Sequence, residues 1–169
     1  MDQKYQDAVR KALGDLTIRW AEYEFQLFML FVYLVDVGDI QNARIVWYNS
    51  PSMQSKLKMM KKMLQLEEAH EFVEEAKGAL KTAEQLNTSR NEYVHGMYIG
   101  SNDKTKFLLR WFRDNNYRET QRIVEPEAVE AFVKKLTGAT AALKKTLTSE
   151  NKRREAASGE EEDDQQPKG

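Results

Sequence analysis

The chain contains no cysteine. That excludes a disulfide framework, a thiolate nucleophile and any zinc–cysteine site. Proline occurs 3 times in 169 residues and glycine 8 times, so few positions force a break or a turn. No Pro/Gly-rich linker divides the chain, and its length suits one domain with a real core. Histidine occurs only twice, so any imidazole chemistry falls to His70 or His95. The longest apolar stretch, Phe25–Val37, is interrupted by Gln26 and Asp36 and falls short of the ~20 apolar residues that span a bilayer. Met1–Lys4 lack the apolar run of a signal peptide. The expectation is a cytoplasmic protein without a membrane association.

Excess charge of one sign is also missing, since the chain is net −1. This argues against a wholly basic nucleic-acid binder, but the balance is uneven along the chain. Residues 150–169 hold seven acids and four bases, net −3, which leaves residues 1–149 at net +2. That last segment is expected to be a charged, disordered tail, and residues 1–149 a single domain.

What is present is mostly helical periodicity. Tyr5, Val9, Ala12, Leu16, Trp20, Tyr23, Leu27, Leu30 and Leu34 recur at spacings of three and four, the pattern of one buried helix face. From Phe25 onward, Phe28, Met29 and Val32 add apolar groups on the opposite side, so this helix has a second face to cover. Gly38 ends it, and Ile40–Asn49 forms a short helix. Ser52 stands at the N-cap of a third helix, about Met53–Leu66. Lys56, Lys58, Lys61 and Lys62 give that helix a basic side, read as a solvated face. A fourth helix begins near Ala69 and runs past His95. Pro126 opens the last, with its apolar stripe at Val129, Phe132, Val133, Leu136, Leu143 and Leu147. Between them, Lys106–Arg113 and Tyr117–Val124 flank the turn composition Asp114-Asn115-Asn116 and read as a β-hairpin. The fold class is therefore all-α: an antiparallel bundle of four to five helices with a small hairpin insertion, about 97–124, before the last helix.

Chemistry concentrates in Arg90-Asn91-Glu92-Tyr93-Val94-His95-Gly96. On a helix Asn91 and His95 share a face, while Arg90 and His95 diverge by roughly 140°. Either the long Arg90 side chain spans that angle, or a second copy of the helix completes the site. Arginine offers a permanent planar cation suited to phosphate oxygens. Histidine can give and take protons near neutral pH. Arg90 also lies near the apolar stripe, where its charge needs a partner; Glu24 and Glu92 are candidates. A di-metal reading of Glu67-x-x-His70 and Glu92-x-x-His95 fails on distance, because the two histidines would lie about 37 Å apart along one helix. No metal or cofactor motif is otherwise legible, and His70 reads as a solvated surface residue. On the hairpin, Lys106, Arg110, Arg113 and Arg118, interleaved with Trp111, resemble a stacking platform beside basic groups, as used for single strands.

The Arg90-Asn91-x3-His95 motif, late in a helical bundle and followed by Gly96, resembles the signature of the HEPN superfamily of small helical domains: arginine, a polar residue, then histidine after four to six intervening positions. Glu24 in the long first helix is similar to an acid found in several branches of that family. The resemblance implies a metal-independent endoribonuclease acting as a homodimer, with two motifs facing one cleft. His95 would handle the proton of the RNA 2′-hydroxyl, Arg90 would stabilise charge on the phosphoryl oxygens, and Asn91 would orient the site. The product would carry a 2′,3′-cyclic phosphate. Glu24, Tyr93 and Gly96 would support the site. Such a protein could be a toxin or phage-defence effector with an antitoxin or regulatory partner. The alternative is a non-catalytic module of the same type, binding nucleotide, RNA or a partner protein.

Overall fold

The computed structural model describes residues 2–35, 40–68, 70–101, 106–112 and 119–163. It is mostly helical, with one small antiparallel sheet placed before the last helix. The helices are α1 (Gln3–Val35), α2 (Ile40–Asn49), α3 (Met53–Leu64), α4 (Glu71–His95) and α5 (Pro126–Asp163). The sheet holds β1 (Met97–Gly100), β2 (Phe107–Phe112) and β3 (Glu119–Ile123).

Helix α1 runs uninterrupted for 33 residues because it contains no proline and its one glycine, Gly14, sits on an exposed face. Its apolar stripe (Val9, Leu16, Tyr23, Leu27, Leu30 and Phe31 among others) is buried, chiefly along α5, with α2 and α3 also packed on it. The second apolar face is partly covered: Phe28 packs on Trp47 of α2 at 5.9 Å between ring centroids, while Phe25 remains exposed. Gly38, read as the stop of this helix, lies outside the described residues. Ser52 caps α3 as expected, its hydroxyl accepting the Ser55 N–H at 3.1 Å. That bond satisfies one of the amides orphaned at a helix start.

Three readings of the sequence need correction. The lysines of α3 do not form one solvated face. Lys56 is buried, with its Nζ 2.9 Å from Glu24 Oε1 and 4.7 Å from the centroid of the Trp47 ring. A long alkyl stem lets lysine lie in an apolar wall when its head finds a carboxylate. Lys61 pairs with Glu84 across to α4. The insertion is not a two-stranded hairpin but a three-stranded meander, since Met97–Gly100 pairs with β2 in the register Met97 to Arg110 and Gly100 to Phe107. Its 4 residues are too few to show strand alternation in a sequence. Finally, α5 does not end near Glu150 but continues to Asp163. Glu150 is bonded by Arg153 and Arg154, three and four residues on, and Asn151 reaches Glu155. Such i,i+3 and i,i+4 pairs stabilise a helix that has no apolar face.

The sheet sits against the C-terminal end of α4. Leu109 at its centre is fully buried, and Met97 and Ile123 on the opposite face are exposed. Tyr5 of α1 fastens the far edge: its hydroxyl donates to the Val124 carbonyl and accepts the Phe107 N–H at 3.1 Å. The turn expected at Asp114–Asn116 falls outside the described residues.

Candidate active site at the end of helix α4

The motif occupies the last two turns of α4. Arg90 lies half-buried, its guanidinium carbon 5.3 Å from the centroid of the Trp20 ring of α1. A cation over an indole face is attracted by the ring quadrupole, and a desolvated pair is worth up to about 2 kcal/mol. From that shelf Arg90 Nη1 donates to Asn91 Oδ1 at 3.1 Å and reaches His95 Nε2 at 3.3 Å. The arginine side chain thus spans the angle between the two faces, and one chain brings Arg90, Asn91 and His95 together without a second copy. Arginine has only donors, so in this contact Nε2 of His95 supplies the lone pair. The proton of the neutral ring then sits on Nδ1, an assignment that follows from the partner's chemistry. His95 itself is exposed, so its ring remains open to a ligand. Arg90 Nε is buried and makes no hydrogen bond.

Neither expected acid pairs with Arg90. Glu24 is engaged by Lys56, and Glu92 accepts from Arg122 of β3 at 3.3 Å. Arg122 also lies over the Tyr93 ring, 4.8 Å from its centroid. Tyr93 is buried, its ring 5.9 Å from that of Phe132 on α5. Its carbonyl accepts the Tyr98 hydroxyl at 2.7 Å. Burial pushes the Tyr98 phenol up to about 12, so it stays protonated and donating at any physiological pH. The last turn of α4 is held by the sheet on one side and α5 on the other.

Gly96 closes the helix, its N–H donating to the Glu92 carbonyl at 3.2 Å. Its φ of −74° is open to any residue. The requirement for glycine is spatial: an added Cβ would collide with Leu109 Cδ1 and stand 2.6 Å from the Glu92 carbonyl oxygen.

Of the expected hairpin residues, Arg110 and Lys106 have described side chains, and these two lie apart. Arg110 is opposite Met97 in the register, at the end of the sheet that joins α4. Lys106 lies four residues away, about 13 Å along the strand, with its Nζ on Glu125 at 2.9 Å. Trp111 takes part in β2 opposite Thr120, with its side chain outside the described set. Arg113 and Arg118 fall outside the described residues. Two contributors escape a sequence reading. Trp20 looks like one more member of an apolar stripe, and Arg122 like one of several hairpin bases. Only the tertiary fold puts one under Arg90 and the other on Glu92. His70, at the opposite end of α4, is exposed and stacks on Phe72.

Among the described residues, no group of three or more histidine, aspartate or glutamate side chains could hold a metal ion. None of the described helices is long and apolar enough to cross a membrane. No protein-family model, curated protein or solved structure matches the chain. The resemblance drawn above therefore rests on residues 90–96 and their helical setting.

Proposed function

We propose that the chain is a HEPN-type, metal-independent endoribonuclease acting as a homodimer. The observation that carries this reading is the 3.3 Å contact between Arg90 Nη1 and His95 Nε2 on an exposed helix end. As the Arg90 guanidinium turns from His95 Nε2 to the phosphate, the lone pair it occupied is freed and removes the proton of a ribose 2′-hydroxyl as its oxygen attacks the adjacent phosphorus. Arg90, already desolvated on Trp20, meets the charge that builds on the non-bridging oxygens. The P–O5′ bond breaks, leaving a 2′,3′-cyclic phosphate, and the departing 5′-oxygen takes up a proton. That proton needs a second acid. His70 is about 37 Å away along α4, so the His95 of a second copy is the natural source, which is the argument for a dimer. In this reading Arg110, opposite Met97 at the α4 end of the sheet, would contact the RNA backbone.

Incubation of the purified protein with mixed single-stranded RNA in EDTA tests this. Wild-type protein should cleave and leave cyclic phosphate ends, and His95→Ala should lower the rate by about 10²–10⁴-fold. Light scattering should report a dimer. Cleavage that survives both Arg90→Ala and His95→Ala would refute the assignment. One observation favours a second reading, a non-catalytic module: the hydrogen bonds of Arg90 all go to its own motif, as they would in a brace for the helix end. Folded protein that binds RNA or nucleotide without cleaving it would select that reading.

A further inference from the structure

An antiparallel sheet with one face on a core ordinarily turns polar side chains to water on the other. The small sheet before α5 departs from that. Its inner face is as expected: Leu109 is fully buried, and Tyr98 and Phe107 pack on the core. On the outer face the register sets Ile99, Leu108 and Ile123 side by side, one from each strand, with Met97, Arg110 and Gln121 in the next row. Four of these six are apolar. Met97 is 58% exposed and Ile123 46%, while Ile99 and Leu108 are half-buried. The run Phe107-Leu108-Leu109 puts apolar side chains on both faces of β2, as in strands that are covered on both sides.

A contiguous exposed apolar patch marks an interaction surface. Two observations identify its occupant as a second copy of this chain. The first is position. His95 is exposed and stands two residues before Met97, and Val94 beside it is exposed too, so whatever covers this face reaches the rim of the motif. The second is chemical: in the proposed cleavage the departing 5′-oxygen needs an acid, and a second His95 supplies it. A twofold contact uses the same patch on both partners, so the patch must complement itself, and the row Ile99–Leu108–Ile123 is apolar along its whole length. Single-stranded RNA is a poorer occupant, because such strands are held by aromatics beside basic groups and this row has neither.

We propose that two copies pack these outer faces together, β2 against β2, and that this contact brings the second copy's His95 to the site. The role of His95 rests on the nuclease reading; the contact itself does not. Stacked sheets lie about 10 Å apart with strands aligned within about 30°, so a twofold axis along β2 leaves both α4 ends on one side of the sandwich. Ile99, Leu108 and Ile123 then seal the contact, and the two Arg110 residues line the gap between the helix ends.

Sedimentation velocity of the full chain, alongside RNA cleavage in EDTA, tests this. Wild type should sediment as a dimer. Ile123→Asp should raise the dimer dissociation constant about 30-fold or more, the loss expected at a central anchor, and should lower cleavage where wild type is dimeric. Met97→Lys should act alike and guards against a folding defect in the first variant. Val46→Asp, at a similarly exposed position on α2, should do neither, and circular dichroism should be unchanged in all three. Dimers that survive both Ile123→Asp and Met97→Lys would overturn the contact, and the nuclease reading would stand if cleavage survived with them. A monomeric wild type would also overturn it, and RNA binding weakened by Ile123→Asp would then assign the face to RNA. A wild-type dimer that both variants dissociate but that never cleaves RNA would sustain the contact and refute the role given to His95.

Discussion

Replacing Gly96 with alanine inserts one methyl group where the structure has no room. The new Cβ meets two obstacles, Leu109 Cδ1 and the Glu92 carbonyl oxygen at 2.6 Å. The carbonyl is helix backbone already bonded to the Gly96 N–H, and Leu109 is fully buried in the sheet–helix joint. Overpacking a core by one methyl costs about 1–3 kcal/mol, and an immovable backbone atom places this case in the upper half. For a chain of this size 1 kcal/mol lowers the melting temperature by about 2–4 °C, so Gly96→Ala should lower it by about 4–12 °C. Urea unfolding followed by circular dichroism gives the free energy directly. A second variant isolates the cause. Leu109→Ala alone should cost about 2–5 kcal/mol through the cavity it leaves. Combined with Gly96→Ala it removes one of the two obstacles, so the double variant should lose about 1 kcal/mol less than the sum. A Gly96→Ala protein within about 0.5 kcal/mol of wild type would fall inside the range of ordinary surface changes and refute the steric argument. Strict additivity would refute the part assigned to Leu109.

Lys56→Met strips the cation from above Trp47 and leaves Glu24 without its partner. Since the Glu24 side chain keeps 33% of its exposure, the loss should be about 1–2 kcal/mol in urea unfolding, below the cost of breaking a fully buried pair; an unchanged stability would show that the pair behaves like a surface one. The Glu150 carboxyl is held below its ordinary value, first by the Arg153 hydrogen bond and then by Arg154, against the opposing effect of burial. A depressed folded value means that this stabilisation is present above the ordinary carboxylate value and is lost as pH falls through the folded one. Wild type should therefore exceed Glu150→Gln in stability at pH 7, with the gap closing below about pH 4; a gap constant down to pH 2 would contradict the ion-pair account.

The helices were legible because their apolar positions repeat at one period over long stretches, and the caps at Ser52 and Pro126 mark their starts with side-chain chemistry. The motif was legible for a different reason: three unusual residue types fall within two turns. Periodicity carries no such record for β1, where four residues join a sheet only because β2 folds back on them. Nor does it record that Lys56 leaves its basic neighbours and turns inward, since that depends on Glu24, 32 residues earlier. The extension of α5 past Glu150 rests on ion pairs rather than an apolar stripe, so a reading keyed to hydrophobic spacing stops too soon. Angular separation on a helix also misleads when one side chain is arginine: the 140° between Arg90 and His95 is real for the backbone and irrelevant to the guanidinium.

These misses bear on the purpose of the insertion. Tyr98 donates to the Tyr93 carbonyl, Arg122 engages both Glu92 and the Tyr93 ring, and Leu109 packs where only a glycine at 96 leaves space. All three strands therefore contact residues 92–96 or the carbonyls that end the helix. A helix terminus left to itself has four unsatisfied carbonyls and frays, and a fraying end could not keep His95 within 3.3 Å of Arg90. The sheet supplies from outside the helix what the helix cannot supply itself, a fixed last turn. Trp20 does the same for the other partner by giving the guanidinium a rigid shelf. Preorganised donors stabilise developing charge because they need not rearrange as it forms. If the proposed nuclease reading holds, the sheet and Trp20 are as much a part of the site as the three residues that would touch a phosphate.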